Sequence, residues 1–191
     1  MRVVSGSARG RRLKAPPNQS KTRPMADKIK EALFSSLASL GVQPERILDL
    51  YAGSGGIGIE ALSRGGEWCD FVDRDRIAAQ TVRENLKNTG FADRAAVHQT
   101  TIESFLNSVR EPYDFVILDP PYADPAILDT LERLSGSTAV TDGTIVVIGH
   151  WPRLELPDKI GFLSKLRGRC HGDSCFAIFD TVLPDGTGAV D

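Results

Sequence analysis

No stretch of this 191-residue chain is apolar for long enough to cross a bilayer, and its opening, MRVVSGSARGRRLK, lacks the continuous apolar run of a secretory signal. Neither a membrane span nor export is expected, which leaves the cytoplasm. Cysteine is scarce: Cys69, Cys170 and Cys175 are an odd set without framework spacing, so free thiols in a reducing compartment are expected. Zinc normally takes four ligands, and Cys170, His171 and Cys175 have no evident fourth, so no metal site is expected. His98, His150 and His171 are scattered, and each reads as structural. Internal repeats and low-complexity segments are missing too. So is acid at the start of the chain: seven basic residues (Arg2, Arg9, Arg11, Arg12, Lys14, Lys21, Arg23) precede the first carboxylate, Asp27. With a net charge of −2 overall, the remainder carries −9. A basic arm on an acidic body is a candidate polyanion-binding element.

What is present is an ordinary globular composition, 41% hydrophobic and 25% charged, enough for one α/β domain with a small appendage. Residues 1–23 read as a basic arm containing a short hairpin, residues 24–183 as the domain, and residues 184–191 as a frayed tail. Pro24 suits the first turn of a helix in which Ile29, Leu33, Leu37 and Leu40 share one face, with Lys28 and Lys30 off it, until Gly41 ends it. Strands at Ile47–Leu50, Trp68–Asp73, Ala95–His98, Tyr113–Leu118 and Thr144–Ile148 then alternate with helices at Ile57–Arg64, Ile77–Lys87, Ile102–Val109 and from Pro125 to about Leu134. Continuous apolar strands alternating with helices imply a doubly wound, mostly parallel sheet covered on both faces. After Pro157 the alternation stops, and Leu163–Arg167 and Ser174–Phe179 read as a terminal antiparallel hairpin.

The segment LDLYAGSGGIG sets Gly53, Gly55 and Gly58 between a strand and a helix, where glycine lets the backbone turn sharply and approach a ligand. The spacing fits G-x-G-x-x-G; Ile59-Glu60 after Gly58 excludes a P-loop. Asp73 ends the second strand, where a carboxylate can accept both ribose hydroxyls of an adenosine moiety. Asp49 precedes the first glycine by four residues, an unusual place for an acid in a dinucleotide fold, and could receive the ammonium of a methionine moiety. Asp75 begins a helix and reads as an N-cap.

The most specific feature is Asp119-Pro120-Pro121-Tyr122, directly after the fourth strand, at the carboxyl edge where doubly wound sheets bind ligands. The prolines fix the backbone so that the Asp119 carboxylate and the Pro120 carbonyl can both point into one cleft. An aromatic amino group is a poor nucleophile because its lone pair is delocalised. Two acceptors on its hydrogens favour tetrahedral nitrogen and stabilise the developing positive charge. Tyr122 supplies a flat surface for stacking a base, a contact worth about 1–3 kcal/mol.

Together these features resemble the class I S-adenosylmethionine-dependent methyltransferases. More narrowly, TRPMADKIKEALFSSL, LDLYAGSGGIGIEALSRGG, FVDRD and YDFVILDPPY, spread over roughly residues 1–135, are similar to the bacterial family that methylates N2 of a guanine in small-subunit (16S) ribosomal RNA. The resemblance implies a Rossmann-like seven-stranded sheet with an antiparallel terminal hairpin and S-adenosylmethionine as cofactor. The implied cofactor contacts are Asp49, Ala52, Gly53, Ser54, Gly55, Gly58, Asp73, Arg74, Thr101 and Ile102, with Asp119 to Tyr122 on the target amino group. Arg9, Arg11, Arg12, Lys14 and Arg23 would face the RNA, in the small subunit or an assembly intermediate, and the chain is expected to act as a monomer. Two departures stand out. Thr101 replaces the family's usual Asp or Asn near the adenine, and residues 149–160, beginning GHWPRLELPD, match poorly.

A DNA amino-methyltransferase would share the catalytic motif but normally adds a target-recognition segment, absent from this short chain. A protein-glutamine methyltransferase would leave the basic arm unexplained. A nicotinamide-dependent oxidoreductase accounts for the glycines but not for Asp49 or the Pro-Pro motif, and a noncatalytic RNA-binding module would not need a cofactor site.

Overall fold

The computed structural model describes residues 1–17, 27–121, 124 and 126–183. Its elements are α1 (Asp27–Ser39), β1 (Arg46–Leu50), α2 (Gly56–Ser63), β2 (Trp68–Asp73), α3 (Arg76–Thr89), β3 (Ala95–Gln99), α4 (Ile102–Ser108), β4 (Phe115–Leu118), α5 (Ile127–Ser135), β5 (Ile145–His150), β6 (Lys159–Ile160), β7 (Leu163–His171) and β8 (Ser174–Thr181). They build one sheet in the order β3-β2-β1-β4-β5-β8-β7-β6. Strands β1 to β5 pair in parallel, and β8, β7 and β6 add antiparallel. No helix among the described residues is long and apolar enough to cross a membrane.

The apolar runs explain the layers. Successive strand residues face opposite sides of a sheet. Ile47, Phe71, Ile117 and Val147 therefore join the core under α1, α2 and α3, while Leu48, Leu50, Val116 and Leu118 join the core under α4 and α5. Asp75 caps α3, its Oδ1 accepting the Ile77 and Ala78 N–H groups at 2.6 and 3.4 Å. The helix closes at Gly90, whose left-handed φ of 82° lets its N–H return to the Leu86 carbonyl.

Three expectations are corrected. The sheet has eight strands, not seven: β6 is a two-residue edge strand ahead of Gly161, too short to show any hydropathy period. Cys170 and Cys175 are not free thiols. They are register partners across the β7–β8 hairpin and are disulfide-bonded, leaving only Cys69 free and buried; pairing across a hairpin follows from its register, which the spacing alone does not reveal. Finally, Lys30 is not on a solvated face. It is completely buried, because the N-terminal segment crosses α1 and places the Arg2 carbonyl 2.8 Å from its Nζ.

That segment folds back on itself, with Val3 and Leu13 N–H groups donating to the Arg11 and Met1 carbonyls. Val3, Ala8 and Leu13 are buried in the main core, while Arg9, Arg11, Arg12 and Lys14 remain exposed. Its polar backbone is matched to α2. Val4 and Ser5 N–H donate to the Glu60 carboxylate at 2.7 and 2.9 Å, and Ala8 N–H donates to Ser63 Oγ at 2.9 Å.

Candidate active site

The sheet order changes direction between β1 and β4, and in a doubly wound sheet the crevice opens at the carboxyl ends beside such a reversal. Register sets what stands there. Leu50 of β1 pairs with Val72 of β2 and with Leu118 of β4, so the next residues, Asp73 and Asp119, flank the exit of β1 on either side. Asp49 lies one pair deeper, opposite Phe71 and Ile117.

The glycine loop is tied to two of these acids. Gly53 N–H donates to Asp73 Oδ2 and Gly58 N–H to Asp49 Oδ2, each at 2.9 Å. Gly58 must be glycine for close helix–strand packing. A Cβ there would come within 2.5 Å of the Phe71 ring, 2.8 Å of Asp49 Oδ2 and 2.9 Å of Cys69 Sγ. Gly55, at φ 74°, occupies the left-handed region at the entry to α2, where a Cβ is strained. Asp73 Oδ1 also accepts the Asp75 N–H at 2.9 Å. An ionised carboxylate has about four acceptor positions, so two such bonds leave capacity for hydroxyl donors.

Asp49 is only 2% exposed. Burial pushes its carboxyl well above the usual carboxylate range; the charges of Asp119 and Asp73 push the same way, and the Gly58 N–H pulls it back. Two further carboxylates are thus within electrostatic reach of Asp49 beside the loop, an arrangement that an entering cation relieves.

Asp119 is half-buried, Pro120 buried and Pro121 exposed. Pro121 carbonyl accepts the Asp124 N–H at 3.0 Å. Tyr122 lies outside the described residues, as does Arg23. Ala52 and Ser54 are buried in the loop, and Arg74 is exposed beyond Asp73. Thr101 caps α4, its Oγ1 accepting the Ser104 N–H at 3.2 Å, and Ile102 packs half-buried against the second core. The loop, Asp49, Asp73 and Asp119 are therefore brought together, while Arg9, Arg11, Arg12 and Lys14 sit on the N-terminal segment. A separate cavity of about 380 Å³, lined by Leu40, Val42, Pro44 and Asp114 among others, opens beside the amino ends of β4 and β5 and shares no residue with the loop.

Sequence reasoning missed Tyr51. It is the one non-glycine residue with positive φ, 59°, among the described residues, at the point where β1 becomes the loop. Strain of this kind gathers at functional sites. Its hydroxyl donates to Asp124 Oδ2 at 3.0 Å, tying the end of β1 to the segment that precedes α5. Burial first, then the Asp124 carboxylate, raises its pKa to about 12, so the hydroxyl remains a donor at neutral pH. An aromatic residue between a strand and a glycine gives no hint of this partner.

Comparison with known proteins now bears on the site. A family model described as "Conserved hypothetical protein 95" matches residues 1–180. The chain belongs to that family. It is 41% identical over 182 residues to "Putative rRNA methyltransferase YlbH" of Bacillus subtilis, covering 94% of this chain and 98% of that protein. It is 32% identical to "Ribosomal RNA small subunit methyltransferase D" of Escherichia coli K12, covering 94% of this chain and 89% of the relative. Among solved structures, "Putative methyltransferase yhhF" of Escherichia coli superposes with a TM-score of 0.82 at 28% identity, covering 96% of this chain and 99% of the other. The match runs through the N-terminal segment, the parallel strands and the terminal hairpin alike, so the family's Rossmann-like methyltransferase fold extends over nearly the whole chain.

Proposed function

We propose that this chain methylates an exocyclic amino nitrogen of ribosomal RNA with S-adenosylmethionine as donor, and that the target is guanine N2 of small-subunit RNA. The observation that carries the reading is the gathering of Asp49, Asp73 and Asp119 around a glycine loop at the carboxyl edge of the sheet. The names of the relatives support rRNA as the substrate class, and the resemblance described above supplies guanine N2.

The donor set fits this cofactor. Its ammonium and sulfonium are cations, and a cation is what a repelling carboxylate cluster favours; its ribose offers hydroxyls to Asp73. When bound, S-adenosylmethionine supplies a methyl group already activated on sulfur. Asp49 would receive the ammonium, Asp73 the ribose hydroxyls, and the loop backbone would set the position of both. Asp119 and the Pro120 carbonyl accept the hydrogens of the target amino group, while Tyr122 stacks the base. Asp119 and the Pro120 carbonyl would stabilise the positive charge that develops on the amino nitrogen as it takes the methyl group, and the extra amino proton would pass to solvent. Catalysis is chiefly alignment and charge stabilisation. A base within a helix must first swing out of the stack, and the exposed Arg9, Arg11 and Arg12 hold the phosphates around it.

The test is transfer of labelled methyl groups to small ribosomal subunits, free ribosomal RNA, DNA and protein in parallel, followed by nucleoside identification. N2-methylguanosine from the ribosomal samples is expected; label in DNA or protein alone would overturn the reading. Asp119→Ala should lower transfer by about 100-fold or more while S-adenosylhomocysteine binding stays close to normal. Equal loss of both would remove Asp119 from its role at the amino group.

A further inference from the structure

Asn85 lies on the buried side of α3, where the N-terminal segment and the glycine loop both reach that helix. It is 1% exposed, and its amide makes three hydrogen bonds. Oδ1 accepts the Lys14 N–H at 2.8 Å, and Nδ2 donates to the Lys14 carbonyl at 2.9 Å and to the Ser54 carbonyl at 2.8 Å. The chemistry is specific to an amide, because one oxygen meets a donor and two N–H groups meet acceptors. A carboxylate would face two carbonyls, and an apolar side chain would leave three buried backbone groups without these partners. Its helical neighbours Val82 and Leu86 are ordinary core residues, so packing alone gives no reason for a polar residue between them.

What distinguishes this side chain is where its partners belong. Lys14 is on the segment that carries Arg9, Arg11 and Arg12; Ser54 stands between Gly53 and Gly55 in the loop. Two other ties run from α3 to the same segment, Asn88 Nδ2 to the Arg12 carbonyl and Lys14 Nζ to Glu84 Oε2, both at 2.8 Å and both exposed. Neither reaches the loop.

We propose that Asn85 is a positioning residue that holds the basic segment and the glycine loop in one frame, so that RNA on the segment and cofactor in the loop each strengthen binding of the other. The inference rests on the function proposed above. Linkage requires the two effects to be equal, which makes the dependence measurable from either side.

The experiment measures S-adenosylhomocysteine affinity of the full chain by calorimetry, with and without a saturating transcript of small-subunit ribosomal RNA. The unaltered chain is expected to gain about 5-fold or more with RNA present. Asn85→Asp loses both donated hydrogen bonds and should bring the ratio close to one. Lys14→Pro replaces the segment's N–H with a ring carbon set against Asn85 Oδ1 and so breaks the contact, and Lys14→Ala is its reference, since it loses the same side chain but keeps that N–H. The ratio should fall in Lys14→Pro and not in Lys14→Ala, and combining Lys14→Pro with Asn85→Asp should lower it no further. Circular dichroism accompanies each variant; if Asn85→Asp does not fold, the Lys14 pair decides. A chain that binds S-adenosylhomocysteine and methylates RNA yet shows a ratio of one overturns this inference alone, as does a full ratio in folded Lys14→Pro. No binding of S-adenosylhomocysteine by the unaltered chain overturns the functional reading and this inference with it.

Discussion

Glu60 and Asp49 are both carboxylates with almost no surface, 0% and 2% exposed, yet they live in opposite electrostatic circumstances. Glu60 receives the Val4 and Ser5 N–H groups, the Arg64 Nε at 3.0 Å, and the ammonium of Lys30 at 3.4 Å. Asp49 receives the Gly58 N–H and stands near two further carboxylates. A buried charge whose task is architectural is neutralised from within the chain, since an unpaired one costs several kcal/mol. A buried charge kept among like charges is a functional-site signature, because its counter-ion can come from outside. The pair therefore separates scaffold from site within a single strand–helix unit, β1 to α2.

The sharpest way to break the contrast is Glu60→Ala, which leaves Lys30 buried without its main partner and two backbone N–H groups unmatched. A loss of about 3–5 kcal/mol in unfolding free energy is expected, read from denaturant curves; a loss below about 1 kcal/mol would make the cluster no more than a surface pair. Lys30, whose own pKa is lowered by burial against the pull of Glu60 and Asp27, should make the variant less stable still toward acid, where its buried ammonium keeps only the Arg2 carbonyl and Asp27 beside it.

Asp49→Asn should behave in the opposite sense. A carboxyl raised by folding lends stability below its unfolded pKa and withdraws it as pH climbs through the folded value. Removing the charge should therefore leave the ligand-free protein at least as stable at pH 8, while S-adenosylhomocysteine affinity falls about tenfold. Stability that drops while affinity holds would move Asp49 to the architectural side with Glu60. The smallest effect belongs to Tyr51→Phe, which removes the hydroxyl with its bonds to Asp124 and Thr130, about 1 kcal/mol. Turnover should fall about fivefold with cofactor affinity unchanged; a change confined to affinity would place Tyr51 in the loop's service and not that of the segment before α5.

Much of this was readable from the chain. The five parallel strands follow from short apolar runs buried on both faces, and Asp49, Asp73 and Asp119 were legible because each stands at or next to a strand end, where chain direction alone decides which edge they reach. What escaped has a common cause: it depends on what lies opposite, not on local pattern. Lys30 looks solvated on a helical wheel, and its burial comes from what meets it there, the Arg2 carbonyl and Glu60 of α2. Asn85 looks like one polar position among the apolar ones of α3, and its meaning comes from Lys14 and Ser54. The Cys170–Cys175 bond depends on hairpin register, and β6 is too brief to carry a period.

The docking of residues 1–14 has a consequence for how the molecule is made. Their partners, Glu60, Ser63 and Asn85, lie 55 to 71 positions later in the chain. A polypeptide emerges from its N-terminus, so these first residues meet the cell long before the helices that shelter Val3, Ala8 and Leu13 exist. This segment is thus made before its seat exists, and a nascent chain presents an unshielded cationic stretch to whatever polyanion is nearest.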